Sequence, residues 1–278
     1  MKKIICFVSI IALMACAFSQ EYQTSGYTSA PKAKKEVSTK NQKQDLYNQL
    51  PARRVVFGVT FGPSINWMNW KNHNSAPKGY DRSSSGIRLG LRYGVNLDVD
   101  LTMKKNFYVS TGILIEHTGG SLNFRERLYL IDSEITRDID RRYKSIYFTI
   151  PTAVTFRTPS FSNFIICGNI GLYHSFNLYA RYQSSFQIDP LAVETVKESI
   201  NHVTTDWAKD SEVALFKESA FAGLGVEYVI KKNLKGKLYI NYAQSLNNYF
   251  SKNAKNNLSG AQEKAAIGTV EFLLGLSF

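Results

Sequence analysis

The chain has 278 residues, 44% of them hydrophobic and 20% charged, with a formal net charge of +12. That length suits one large β domain or two small ones. Past the leader, no apolar run approaches the roughly 20 residues a membrane helix needs, so any residence in a bilayer must come from strands.

The chain opens "MKKIICFVSIIALMACAFSQ". Lys2 and Lys3 precede a short apolar stretch, Ile4 to Met14, flanked by small residues, which is the pattern of a secretory signal. Residues 1–19 are read as that signal, cut before Gln20. Leu13-Met14-Ala15-Cys16 also resembles a lipobox, which would leave Cys16 as a lipidated first residue. With the first cut Cys167 is the single mature cysteine, so no intrachain disulfide can form. A pI near 9.5 would suggest nucleic acid in a cytosolic chain, but an exported one never meets the chromosome, and no nucleic-acid partner is expected. Residues 20–52 form a basic N-terminal segment (Lys32, Lys34, Lys35, Lys40 and Lys43 against Glu21, Glu36 and Asp45). It is read as a solvated tether, with an anionic surface or an acidic envelope partner as the sharper alternative.

From residue 53 to 278 a two-residue period recurs eight times. Val55, Phe57, Val59 and Phe61 alternate with Gly58, Thr60 and Gly62. In "GIRLGLRYGVNLDVDL" every odd position from Ile87 to Leu101 is apolar, and every even one is small, polar or charged. The third and fourth strands run around Phe107–Glu116 and Ser145–Phe156. The last four surround Phe164–Leu178, Ala222–Ile230, Lys237–Tyr242 and Gly268–Phe278, with even positions apolar. Glycine recurs on the polar face, as a narrow lumen crowded by facing side chains would require. Connections alternate between short turns and four long loops at 69–85, 125–142, 183–214 and 247–263. An even strand count with alternating short turns and long loops implies an all-β, eight-stranded antiparallel up-and-down transmembrane β-barrel in an outer membrane, with both termini periplasmic. Apolar residues then face lipid, because only a closed barrel satisfies its backbone in hydrocarbon.

The end of the chain supports this. Phe272, Leu274, Leu276 and Phe278 alternate to the last residue, an ending that resembles the signal read by the barrel assembly machinery. Phe107, Phe156, Phe164, Tyr228 and Phe278 gather beside the short turns as an aromatic girdle. By parity Arg88, Arg92, Asp98, Asp100, Glu116, Glu227, Lys237 and Glu271 point inward. In so narrow a space they should pair and plug the bore; the alternative is a pore lined by a ring of charge.

Catalytic signals are sparse. His117 follows Glu116 as a weak acid–base pair, His174 falls at a lipid-facing position, and His73 and His202 lie in separate loops. Asp206, Asp210 and Glu212 fit no calcium-loop spacing. No cofactor or metal is expected. Trp67, Trp70, Tyr80 and Trp207 lie in or beside the loops, either as recognition residues or as packing at the barrel mouth. "DPLAVETVKESI", Asp189 to Ile200, reads as a short loop helix.

Taken together, "FGVTFGPSINW", "FYVSTGILIEHTGGSLNF", "YKSIYFTIPTAVTFRT", "FAGLGVEYVI", "LYINYAQSLNNYF" and the terminal "LLGLSF" resemble the PorT-like family of outer-membrane β-barrels over about residues 53–278. That family often carries a tyrosine–x–acid–x–proline run in its fourth strand. Tyr147-Phe148-Thr149-Ile150-Pro151 keeps the tyrosine and proline but has Thr149 in place of the acid. The resemblance implies a barrel, with the namesake's setting in protein secretion across the outer membrane, though most members of the family have no assigned role. The expected role is a non-enzymatic envelope interaction or accessory component whose partners are outer-membrane lipid, the assembly machinery and an envelope protein. A small-solute porin and a rim enzyme acting on lipid or peptide are the alternatives.

Overall fold

The structure, a computed structural model, describes residues 55–71, 80–101, 106–130, 133–189, 200–203, 212–231, 234–252 and 263–278. The signal, the basic segment, His73 and Trp207 lie outside them, as do Asp206 and Asp210. Ten strands form one sheet: β1 (Val55–Trp70), β2 (Tyr80–Ser85), β3 (Ile87–Asp100), β4 (Phe107–Leu130), β5 (Ser133–Arg157), β6 (Phe164–Asp189), β7 (Ile200–Val203), β8 (Phe216–Lys231), β9 (Leu234–Ser245) and β10 (Ala265–Ser277).

Eight of these close on themselves in the order β1-β3-β4-β5-β6-β8-β9-β10, with β10 returning to β1. Every pairing is antiparallel between chain neighbours, and the first strand meets the last through Gly58 opposite Ser277. β2 and β7 are short extensions: β2 continues β3 beyond Gly86, and β7 pairs with the far end of β6. The protein is thus a closed, eight-stranded, up-and-down antiparallel barrel.

Gly86 sits where the backbone must turn left-handed, at φ 82°, which costs a glycine little. The turn shifts the register. Ser85 pairs with Ser121 but Leu91 pairs with His117, so 86–90 and 118–120 share no ladder partners. A bulge at Ile146/Tyr147 against β6 makes the same kind of adjustment on the other side of β4 and β5.

Side chains sort by parity. Phe57, Val59, Phe61, Leu89, Val95, Ile166, Leu224, Ile240, Leu274 and Leu276 are exposed on the outer wall. No water-soluble fold leaves so continuous an apolar belt uncovered. The girdle residues are outward at the end where β1 begins and β10 ends, where Phe107 meets Phe156 at 5.2 Å and Phe164 meets Tyr228 at 5.0 Å.

Two expectations need correction, and a third lies outside the described residues. Residues 125–130 and 133–142 are strand rather than loop: β4 and β5 stay paired to Leu130 opposite Ser133, and the hairpin rises far beyond the 9–11 residues that cross a bilayer. Continued cross-strand pairing outweighs the polar composition that suggested a loop, as in the ion pair of Arg125 with Asp138 at 2.7 Å. The expected loop helix lies almost wholly in 190–199, outside the described residues; its end residues Asp189 and Ile200 belong to β6 and β7. The reason for the glycines also differs. A Cβ at Gly62, Gly94, Gly112 or Gly171 would collide with a carbonyl of the adjacent strand, not with a side chain across the lumen.

Candidate functional site

The inner face carries two layers of buried charge, and sequence parity explains why each member is there. The layer nearer the start of β1 and the end of β10 is built on Asp98 of β3, Arg157 of β5, Glu227 of β8 and Lys237 of β9. Arg157 Nη2 contacts Asp98 Oδ2 at 2.8 Å and its Nε donates to Glu227 Oε1 at 2.9 Å. Lys237 Nζ donates to Asp98 Oδ2 at 2.7 Å. Tyr239 donates to Glu227 Oε1 at 3.2 Å, and the Arg157 guanidinium lies 3.8 Å from the centre of the Tyr108 ring.

The second layer crosses the middle of the bore. Arg92 of β3 holds Glu116 of β4 at 3.0 Å and also pairs with Glu271 of β10. Lys217 of β8 donates to Glu116 Oε1 at 2.7 Å, and Thr149 of β5 donates to Ser175 of β6 at 2.9 Å. Tyr173 donates to Glu271 Oε2 at 3.0 Å, receives Asn241 at 3.3 Å, and stacks on Phe221 at 3.9 Å. The central layer sets two cations against two carboxylates; in the first, Lys235 also approaches Glu227 at 3.8 Å, so every buried carboxylate of both layers has a cation beside it and none is stranded in a low-dielectric space.

Beyond these layers the bore is closed by apolar and aromatic groups. Met68 and Trp70 of β1, Leu122 and Phe124 of β4, and Tyr143 and Tyr147 of β5 pack there with Tyr249 and Phe250, which fold back from the segment after β9. Phe250 lies 5.3 Å from Tyr143 and 6.2 Å from Trp70, and Ser145 shares a 2.6 Å hydrogen bond with Tyr249. The mouth segment is pinned by the bridge of Val213 with Phe250.

Of the eight inward charges read from the sequence, the structure brings Asp98, Glu227 and Lys237 into the first layer and Arg92, Glu116 and Glu271 into the second. Asp100 is buried at the terminal end. Arg88 stands apart: it crosses the unpaired stretch between β3 and β4, and its Nη1 donates to the carbonyl of Tyr143 at 2.7 Å. The sequence reading missed Arg157 and Lys217, because it ended β5 at Phe156 and began β8 at Ala222. Extending each alternation by a few residues at the same parity would have found both. Tyr249 and Phe250 carried no such signal.

Glu116 and His117 point to opposite sides of the wall. Glu116 is buried among ions, while His117 is outward and stacked on Tyr93 at 5.9 Å, so they form no acid–base pair. His174 is outward beside Glu218 at 3.3 Å. Trp70 is a packing residue of the closure, whereas Trp67 lies outside against Tyr242 at 6.2 Å. Among the described residues no group of three His, Cys, Asp or Glu side chains could hold a metal.

A closed apolar-belted barrel with a filled lumen defines an outer-membrane β-barrel protein. Residues 35–251 match the family model described as "Outer membrane protein beta-barrel domain", and the chain belongs to that family. No curated protein matches it. Similar solved structures include the attachment invasion locus protein of Yersinia pestis in complex with a heparin analogue (12% identity, 81% of this chain and 100% of that one, TM-score 0.34). Others are a Neisserial surface protein A (8%, 80% and 95%, 0.33) and OprG from Pseudomonas aeruginosa (10%, 80% and 94%, 0.32).

Proposed function

We propose that this protein is a non-conducting barrel of a Gram-negative outer membrane, acting as an interaction or accessory component of the envelope. On this reading the end with the long connections faces outward, both termini are periplasmic, and the basic segment 20–52 follows a cleaved signal. The observation that carries it is the filled bore, with two ion-paired layers and an aromatic closure in series. An open pore needs a water-lined path, and eight strands leave room for little more than side chains. The protein then works through its surfaces: the β4–β5 hairpin and neighbouring connections on one side, and the basic segment on the other. It is not an enzyme on this reading, in keeping with Glu116 and His117 on opposite faces. The likeness to PorT-like barrels makes a protein-secretion complex the first partner to test, with an uptake complex second.

Purified protein in planar bilayers is expected to give no steady conductance, and regular open-channel steps would replace this reading with a small-solute porin. Pull-down from envelopes with and without residues 20–52 tests the partner side. An envelope protein retained by the full chain and lost on deletion is the expected result.

A further inference from the structure

The outer wall is not apolar everywhere. Just beyond the belt, at the end with the long connections, lies a cavity of about 780 Å³ on the β3–β6 side. That is within the roughly 300–1,000 Å³ of sites that hold small organic ligands. One side is formed by Ile87 and Leu89, which at 74% and 77% are the most exposed apolar strand residues described. The other carries Arg142, Lys144 and Arg181, and Arg88 enters between them. Asp140 is the one carboxylate in the lining, and it accepts from Arg142 Nε at 3.1 Å.

Two features distinguish this patch from an ordinary solvated basic face. Lys144 and Arg181 are direct cross-strand partners in the β5–β6 ladder, and like charges opposite one another destabilise a sheet. Arg88 is held in place by its bond to the Tyr143 carbonyl, with its stem across the Cα of Gly119, and both Arg142 and Arg181 repel it. Such crowding of cations costs stability unless an anion occupies the site. Gly119 and Ser121 leave the floor between the two walls low. Other cations at this end are separate from the notch: Lys71 Nζ donates to the carbonyls of Leu246 and Asn247, and Arg125 is paired with Asp138.

We propose that this notch binds the phosphorylated headgroup of an outer-leaflet glycolipid, with acyl chains lying on Ile87 and Leu89. Guanidinium groups match phosphate oxygens in paired hydrogen bonds, and cations beside a bilayer surface attract anionic lipid. The cavity is too large for a bare ion and borders directly on the lipid belt, which favours a lipid over free phosphate. The assignment of leaflet rests on the outward placement of this end proposed above.

The test titrates full-length processed protein in detergent with bisphosphorylated lipid A, its dephosphorylated form, and inorganic phosphate, reading retained lipid by native mass spectrometry. The bisphosphorylated lipid is expected to be retained, and K144Q/R181Q to weaken retention by at least about tenfold. The lipid-free melting temperature of that variant should stay level or rise, because a repulsive pair has been removed. K144R/R181K should bind like the parent. Equal retention by K144Q/R181Q, equal retention of the dephosphorylated lipid by the parent, or displacement by millimolar inorganic phosphate would each overturn the proposal. Separately, K252C should react with a membrane-impermeant maleimide on intact cells. Failure to react would overturn the outward placement, and with it the leaflet, while leaving the in vitro lipid result to stand or fall alone.

Discussion

The ion layers and the aromatic closure fill the same tube in different ways. The layers are made by side chains of the wall itself: Arg92, Glu116, Lys217 and Glu271 come from four strands and tie opposite sides of the barrel together. The closure borrows Tyr249 and Phe250 from a returning segment, held by contacts with Tyr143, Trp70 and Ser145. Opening the first requires removing charges from the wall; opening the second requires only moving a segment. The lumen therefore has one fixed pair of barriers and one that a binding event at the mouth could displace.

The largest effect should come from the central layer. Arg92→Ala strands Glu271 without its cation and is expected to cost about 3–5 kcal/mol in urea unfolding from lipid vesicles. Adding Glu271→Gln should recover part of that loss by neutralising the stranded group. If Arg92→Ala is silent, the layer does not hold the wall together. Phe250→Ala should cost less, about 3 kcal/mol, since the segment can partly collapse into the gap. Neither variant should conduct in planar bilayers, because the remaining barriers still fill the bore. Gly62→Ala should cost about 1–3 kcal/mol through its collision with the Phe272 carbonyl, while the same change at Gly236, where a Cβ meets only the end of the Ile230 side chain, should be tolerated. The smallest effect lies beyond the membrane. Arg125→Ala removes the exposed pair with Asp138 and should change stability by less than about 1 kcal/mol. Arg125 holds the Asp138 carboxyl below its ordinary range. This small contribution is therefore full at neutral pH and disappears as pH falls through the folded-state value.

Much of the barrel was readable because a strand has only two faces. Once Phe57, Val59 and Phe61 were outward, Gly58 and Gly62 had to be inward, and the same rule placed Arg92, Asp98, Glu116, Glu227, Lys237 and Glu271 before any contact was known. The rule weakens at strand ends, where alternation fades into polar composition. That is why β4 and β5 extend past the boundary the residues suggested, and why Arg157 and Lys217 were overlooked. It fails at bulges, where one extra residue such as Leu178 restarts the parity.

The sequence alone determined the solvent on each side of the wall and the number of strands that cross it, since both follow from local periodicity and from the need to satisfy every backbone group in hydrocarbon. It could not say which charges meet. Arg92 to Glu271 and Arg157 to Asp98 are long-range pairs fixed by the shear of the closed sheet. Nor could it say that residues 249 and 250 return to seal the mouth, or that Lys144 and Arg181 stand face to face beside an apolar wall. Those depend on register and on how the ends of strands stack around a ring, and only the closed tertiary structure decides them.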